Sequence, residues 1–167
     1  MTSASNGLTK SGSNVVLGGT LTQATTIATG DNNLAITGTG SVGIGTSSAP
    51  TSTLQVAGTV AVGVVNGLAG SGAGTPLGNA GYVGLSPVNG ADFYRLPDAT
   101  SCPGRIYYVR NNSTSNIAYL STSGGAIFEG GTTAAAGLPY FMQTSGLTKT
   151  ITAISDGTNW TLLKNGN

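Results

Sequence analysis

Three features of this sequence predict an all-β protein. Apolar residues recur at every second position, clusters of turn-forming residues separate them at short intervals, and no stretch carries a 3.6-residue apolar period. The nearest approach to a helix is TTAAAGLPYF at 132–141. Gly137 and Pro139 cut it short, because proline removes an N–H and crowds the preceding turn.

Taken in order, the first apolar pairs are Leu34/Ile36 and Val42/Ile44, followed by Leu54, Val56, Val60, Val62 and Val64 in TLQVAGTVAVGVV. The spacing puts one face of each short strand on a core. TGDNN, TGTGS and GTSSAPTS lie between them and supply the positive φ angles and side-chain turns that chain reversals need. VNGLAGSGAGTPLGNAG, at 65–81, reads as a glycine-rich connector reaching to about residue 90. Beyond it the strand signals strengthen. RIYYVR sets Arg105, Tyr107 and Val109 against Ile106, Tyr108 and Arg110, and with the loop NNSTSN and the strand IAYLST it predicts a hairpin. KTITAIS and TNWTLLK flank Asp156-Gly157, a pair that tolerates left-handed backbone and predicts a second hairpin. Alternation places Trp160 and Leu162 on one face. With Ile154 and Tyr107 they are the expected core of a small antiparallel C-terminal domain.

Composition divides the chain in the same place. Residues 1–90 hold 19 of the 28 glycines but one aromatic, Tyr82; the rest of the chain holds the other nine aromatics. The strands before residue 90 carry Val, Ile, Leu and Thr and nothing large, so alone they would bury too little to offset the ordering of so many glycines. Short quasi-repeating strands of this kind are expected to associate with copies of themselves around a shared axis.

Charge excludes several functions. Charged residues are 7% of the chain, against roughly 25% in ordinary globular proteins, and the six basic side chains are scattered, so neither nucleic acid nor an anionic membrane is an expected partner. MTSASNGLTKSG lacks the basic and apolar regions of a signal peptide, and no run of 18 apolar residues is present, so neither export by that route nor membrane insertion is expected. The one cysteine, Cys102, offers no intrachain disulfide; without histidine it nominates no zinc site, and it reads as a small buried hydrophobe.

Catalysis finds few candidates. A Ser-His-Asp or Cys-His arrangement needs a histidine, and there is none. Glycoside hydrolysis needs two carboxylates across the sugar bond. Asp31, Asp98 and Asp156 have turn readings, which leaves Asp92 and Glu129 as the conceivable pair. GTGSVGIG lacks the following helix of a dinucleotide site and reads as turns. The expectation is a binding protein without enzymatic activity, cofactor or metal. Its candidate contact surface is the NNSTSN loop, namely Asn111, Asn112, Ser113, Thr114 and Asn116, whose amides and hydroxyls suit adaptable recognition.

NGLTKSGSNVVLGGTLTQATTI, LAITGTGSVGIGT and TLQVAGTV resemble segments of bacteriophage tail-fibre and surface-fibre proteins, particularly of phages of the Bacteroidetes. YRLPDATSCPGRIYYVRNNST, GGAIFEGG and ITAISDGTNWTLL resemble the globular head that ends many such fibres. The resemblance implies an intertwined homotrimeric virion fibre, with a glycine-rich β shaft at 1–64, a connector at 65–90 and a β knob at 91–167. It implies synthesis in the bacterial host cytoplasm and a place on the virion surface. The N-terminal end would attach to capsid or to tail and baseplate proteins, and the knob would contact a host surface glycan or protein. Head fibre and tail fibre are both compatible with it. Family members with the phrase GIGT…P…L.V.G often continue into a self-cleaving chaperone domain, which this sequence lacks, so a separate chaperone or unaided trimerisation is expected. A bacterial surface adhesin and a glycan depolymerase tailspike are the alternatives.

Overall fold

The structure, a computed structural model, describes residues 6–18, 20–129, 132–133 and 139–164. The helix-like part of TTAAAGLPYF, at 134–138, lies outside the described residues. The chain divides into two compact units, Met1–Gly58 and Thr59–Asn167.

In the first unit, β1 (Leu8–Ser11) and β2 (Asn14–Leu17) form an antiparallel hairpin with Ser11 opposite Asn14. Gly12, at φ 61°, supplies the left-handed angle that a two-residue turn demands. The Asn6 side chain ties down the segment that follows: its oxygen accepts from the Thr22 and Gln23 amides at 3.1 Å each, and its nitrogen donates to Thr25 Oγ1 at 2.9 Å. β3 (Val42–Ile44) and β4 (Leu54–Val56) pair in parallel, Val42 with Leu54 and Ile44 with Val56. Leu34 and Ile36 lie in no strand, and no strand covers Val60 or Val62.

No apolar side chain described in Met1–Gly58 is buried. Ten Leu, Ile and Val side chains between Leu8 and Leu54 are exposed, from Val15 at 39% to Leu17 at 91%. These short strands present faces that no described residue of their own unit covers.

The second unit is a two-sheet sandwich. One sheet orders β12 (Thr132–Thr133), β11 (Ile127–Glu129), β15 (Trp160–Lys164), β14 (Thr150–Ser155), β9 (Ile106–Asn111), β7 (Tyr82–Ser86) and β5 (Val64–Ala69). The other orders β13 (Tyr140–Met142), β10 (Ala118–Thr122), β8 (Phe93–Leu96) and β6 (Thr75–Pro76). Their inner faces share one core. Val83, Leu85, Tyr107, Val109, Ile151, Ala153, Trp160 and Leu162 from the larger sheet meet Tyr94, Leu96, Leu120 and Met142 from the smaller.

Four expectations are corrected here. The domain is mixed rather than antiparallel: β5, β7 and β9 run parallel, as do β6, β8 and β10, and β11 with β15. From β5 to β10 the chain alternates between sheets, so each strand returns to its own sheet after one crossing out and one back, in its original direction. For the same reason RIYYVR and IAYLST do not form a hairpin, because β9 and β10 belong to different sheets. Residues 65–90 are no bare connector; they supply β5, β6 and β7, with Val83 and Leu85 fully buried. Ile154 is half-buried on the outer face, paired with Ile106, while its neighbours Ala153 and Ser155 take the inner positions.

The Asp156 hairpin joins β14 and β15, with Ser155 opposite Trp160. The Asp156 carboxylate accepts from the amides of Asn159 at 2.6 Å and Thr158 at 2.8 Å, and these bonds hold it below the usual aspartate range. Three tyrosines are inner residues. Burial pushes Tyr94 up to about 12, with a smaller push from the Asp92 charge, and pushes Tyr140 up to about 12, with a smaller push from Glu129; Tyr107 is raised by burial too. Tyr94 donates to Leu68 O at 3.2 Å and Tyr107 to Gly78 O at 2.5 Å, so both rings also pin the chain that enters the sandwich.

Candidate functional site

Three loops meet at one end of the sandwich: 87–92 between β7 and β8, 112–117 between β9 and β10, and 143–149 between β13 and β14. Asn111 ends β9 with its side chain on the inner face and is fully buried. Its amide nitrogen donates to Asn116 O and Met142 O, each at 2.9 Å, and to Gln143 O at 3.3 Å. Its oxygen accepts from the Ser113 amide at 3.0 Å. One asparagine thereby closes its own loop and fastens it to the next, since a buried amide with four partners has little freedom to move.

Neighbouring side chains extend the tie. Asn116 donates to Pro87 O at 3.2 Å, which links the first two loops. Ser113 Oγ accepts from the amides of Ser115 at 3.1 Å and Asn116 at 2.8 Å. Lys149 Nζ donates to Ser113 O at 3.1 Å and Thr144 O at 2.6 Å. Asn112 donates to Asn66 Oδ1 at 2.8 Å, across β7. That bond needs Gly84 beneath it, because any Cβ there would collide with both amides.

Asp92 is buried, and its Oδ2 accepts from the amides of Val88 at 2.7 Å and Asn89 at 3.3 Å, shaping the 87–92 loop. Glu129, the other half of the conceivable carboxylate pair, sits on β11 and forms an ion pair with Lys164 on β15. Both acids are thus engaged in local structure, Asp92 in the loop before β8 and Glu129 on β11 of the larger sheet.

The residues expected to make contact fare differently. Thr114 is exposed; Asn112, Ser113 and Asn116 are half-buried and engaged in the network. Asn111 is corrected from contact residue to internal fastener. Val88, 75% exposed in the first loop, and Leu147, 50% exposed in the third, are not among the expected contact residues. Their signal was an aliphatic residue beside loop-forming Asn, Gly or Ser in SPVNGAD and TSGLTK. The arrangement is a stiff polar frame displaying hydroxyls, amides and two aliphatic side chains. Such a frame suits noncovalent recognition, because little ordering remains to oppose binding.

Among the described residues no group of three or more His, Cys, Asp or Glu is placed to hold a metal ion, and no helix is long and apolar enough to cross a membrane. Cys102 is half-buried against the core, with Sγ 3.4 Å from Asp98 O. No family model, curated protein or solved structure matches this chain.

Proposed function

We propose that this chain is a virion fibre protein of a bacteriophage, assembled as a homotrimer through its N-terminal part. Its C-terminal sandwich serves attachment to a host surface without covalent chemistry. The observation that carries this reading is the contrast between the units. Met1–Gly58 leaves its strand faces exposed, whereas Thr59–Asn167 closes a complete core of its own. Burying an aliphatic side chain contributes about 1.5–3 kcal/mol, so covering these ten strongly favours association of the unit with a partner. Copies of the same chain are the partner that the quasi-repeating strands fit.

The outer face of the larger sheet supports the same reading. Val64, Tyr82, Tyr108, Thr152 and Leu163 stand in one cross-strand row, with Val64 65%, Tyr108 46% and Leu163 49% exposed. Attachment to capsid or tail falls to the N-terminal unit, and the loop end of the sandwich is the contact surface. The test is immunogold electron microscopy with antibodies raised against the chain. Label on projections from phage particles is the expected result; label confined to the envelope of uninfected bacteria would overturn the reading in favour of an adhesin.

A further inference from the structure

On the outer face of the smaller sheet, Phe93, Tyr119 and Phe141 stand side by side on β8, β10 and β13. Phe93 and Tyr119 have ring centroids 5.1 Å apart at an interplanar angle of 31°, and Tyr119 and Phe141 are 5.2 Å apart, edge to face at 86°. Phe141 is 49% exposed and the other two are half-buried. All three are outward members of strands whose inward residues, Tyr94, Leu120 and Tyr140, are in the core. The row also adjoins the fastened loops, since Phe93 follows Asp92, Tyr119 follows the 112–117 loop by one residue, and Phe141 lies two residues before exposed Gln143. The Tyr119 amide donates to Asp92 O at 3.2 Å, which locks row to loop.

We infer that this aromatic row and its loop rim form a binding site for an uncharged glycan, an assignment that rests on the attachment role proposed above and names its ligand class. Two rings inclined by 31° make a shallow floor and the third stands as a wall. The apolar C–H face of a pyranose packs on such rings, its slightly positive hydrogens against their negative faces. Its hydroxyl edge needs neutral hydrogen-bonding groups, and three are exposed close in sequence: Gln143, two residues after Phe141, and Thr114 and Ser115 in the loop that leads to Tyr119.

Charge decides the kind of glycan. Arg95, one step along β8, places its guanidinium on Ala73 O. Lys149 is committed to two carbonyls, and Asp92 to two amides. Bonds to neutral carbonyls leave the Arg95 and Lys149 charges in place but direct donors at backbone, and among the described residues no cluster of Lys and Arg borders the row of the kind that sulfate, phosphate, uronic acids or a nucleic acid backbone draw on. Size argues against a protein partner. The row crosses two strand spacings, roughly 10 Å, which fits two or three sugar rings, whereas a standard protein interface takes about 800 Å² from each side.

The experiment measures binding of the full-length protein to immobilised neutral polysaccharides, namely glucan, mannan, galactan and the neutral fraction of host surface polysaccharide. Hyaluronan and heparin serve as polyanionic counterparts. Saturable binding to a neutral polysaccharide is expected, weakened at least tenfold in Phe141→Ala and Tyr119→Ala and retained in Phe141→Trp, with melting temperature and sedimented mass unchanged. Binding to none of the neutral polysaccharides, stronger binding to the polyanions, or indifference to the aromatic substitutions would each overturn the assignment while leaving the fibre reading intact. A change of sedimented mass in Phe141→Ala would overturn it too, by assigning the row to a contact between subunits.

Discussion

Trp160→Ala should destabilise the C-terminal sandwich by about 3–5 kcal/mol, the range for emptying a large core site. Trp160 is fully buried and starts β15 on the inner face. Its ring lies 5.7 Å from that of Tyr107, and its Nε1–H donates to Pro97 O at 3.0 Å. The substitution therefore removes a ring contact between two strands of the larger sheet, a hydrogen bond to the segment after β8, and the bulk that both sheets pack upon. Phe retains most of the bulk and loses the hydrogen bond, so Trp160→Phe should cost less, about 1–3 kcal/mol. Chemical denaturation followed by circular dichroism checks both values, and native tryptophan fluorescence should be blue-shifted. An Ala variant that melts with the parent would refute the assignment of Trp160 to the core.

Asn111→Ala should be the most damaging change at the loop end, by about 2–4 kcal/mol. It strands the carbonyls of Asn116, Met142 and Gln143 and the amide of Ser113, and an orphaned buried group costs about 1–3 kcal/mol before solvent or relaxation recovers part of it. Thr114→Ala, three residues on and exposed, should leave stability within about 0.5 kcal/mol of the parent. Hydrogen exchange should show faster amide exchange at 112–117 and 143–149 in Asn111→Ala. Unchanged protection there would show that the loops are held by something other than this asparagine.

The two positions show how far the sequence reaches. Alternation in RIYYVR and TNWTLLK was enough to place Tyr107, Trp160 and Leu162 on inner faces, because the period of a strand is local. Asp156-Gly157 gave its hairpin for the same reason. Which strand lies beside which is not local. The short polar loop between the β9 and β10 segments suggests that they pair, yet that loop carries the chain across to the other sheet, and Asn111 at its start turns inward to fasten it. Polar residue types suggested a contact surface there; only burial separates the residue that builds the loop from those the loop displays. The aromatic row has a local signal, since FY at 93–94 and YF at 140–141 must each send one ring outward. The β1–β2 hairpin has a local signal too, because SGSN sets Gly12 among turn-forming residues just before the β-branched pair Val15-Val16.

Exposure in Met1–Gly58 is where the single chain and the proposed assembly differ most. Sedimentation equilibrium of the full-length protein over a wide concentration range measures it most directly. The account requires a single species of three times the 16.3 kDa chain mass that persists on dilution. A stable, fully folded species at the mass of one chain would contradict it.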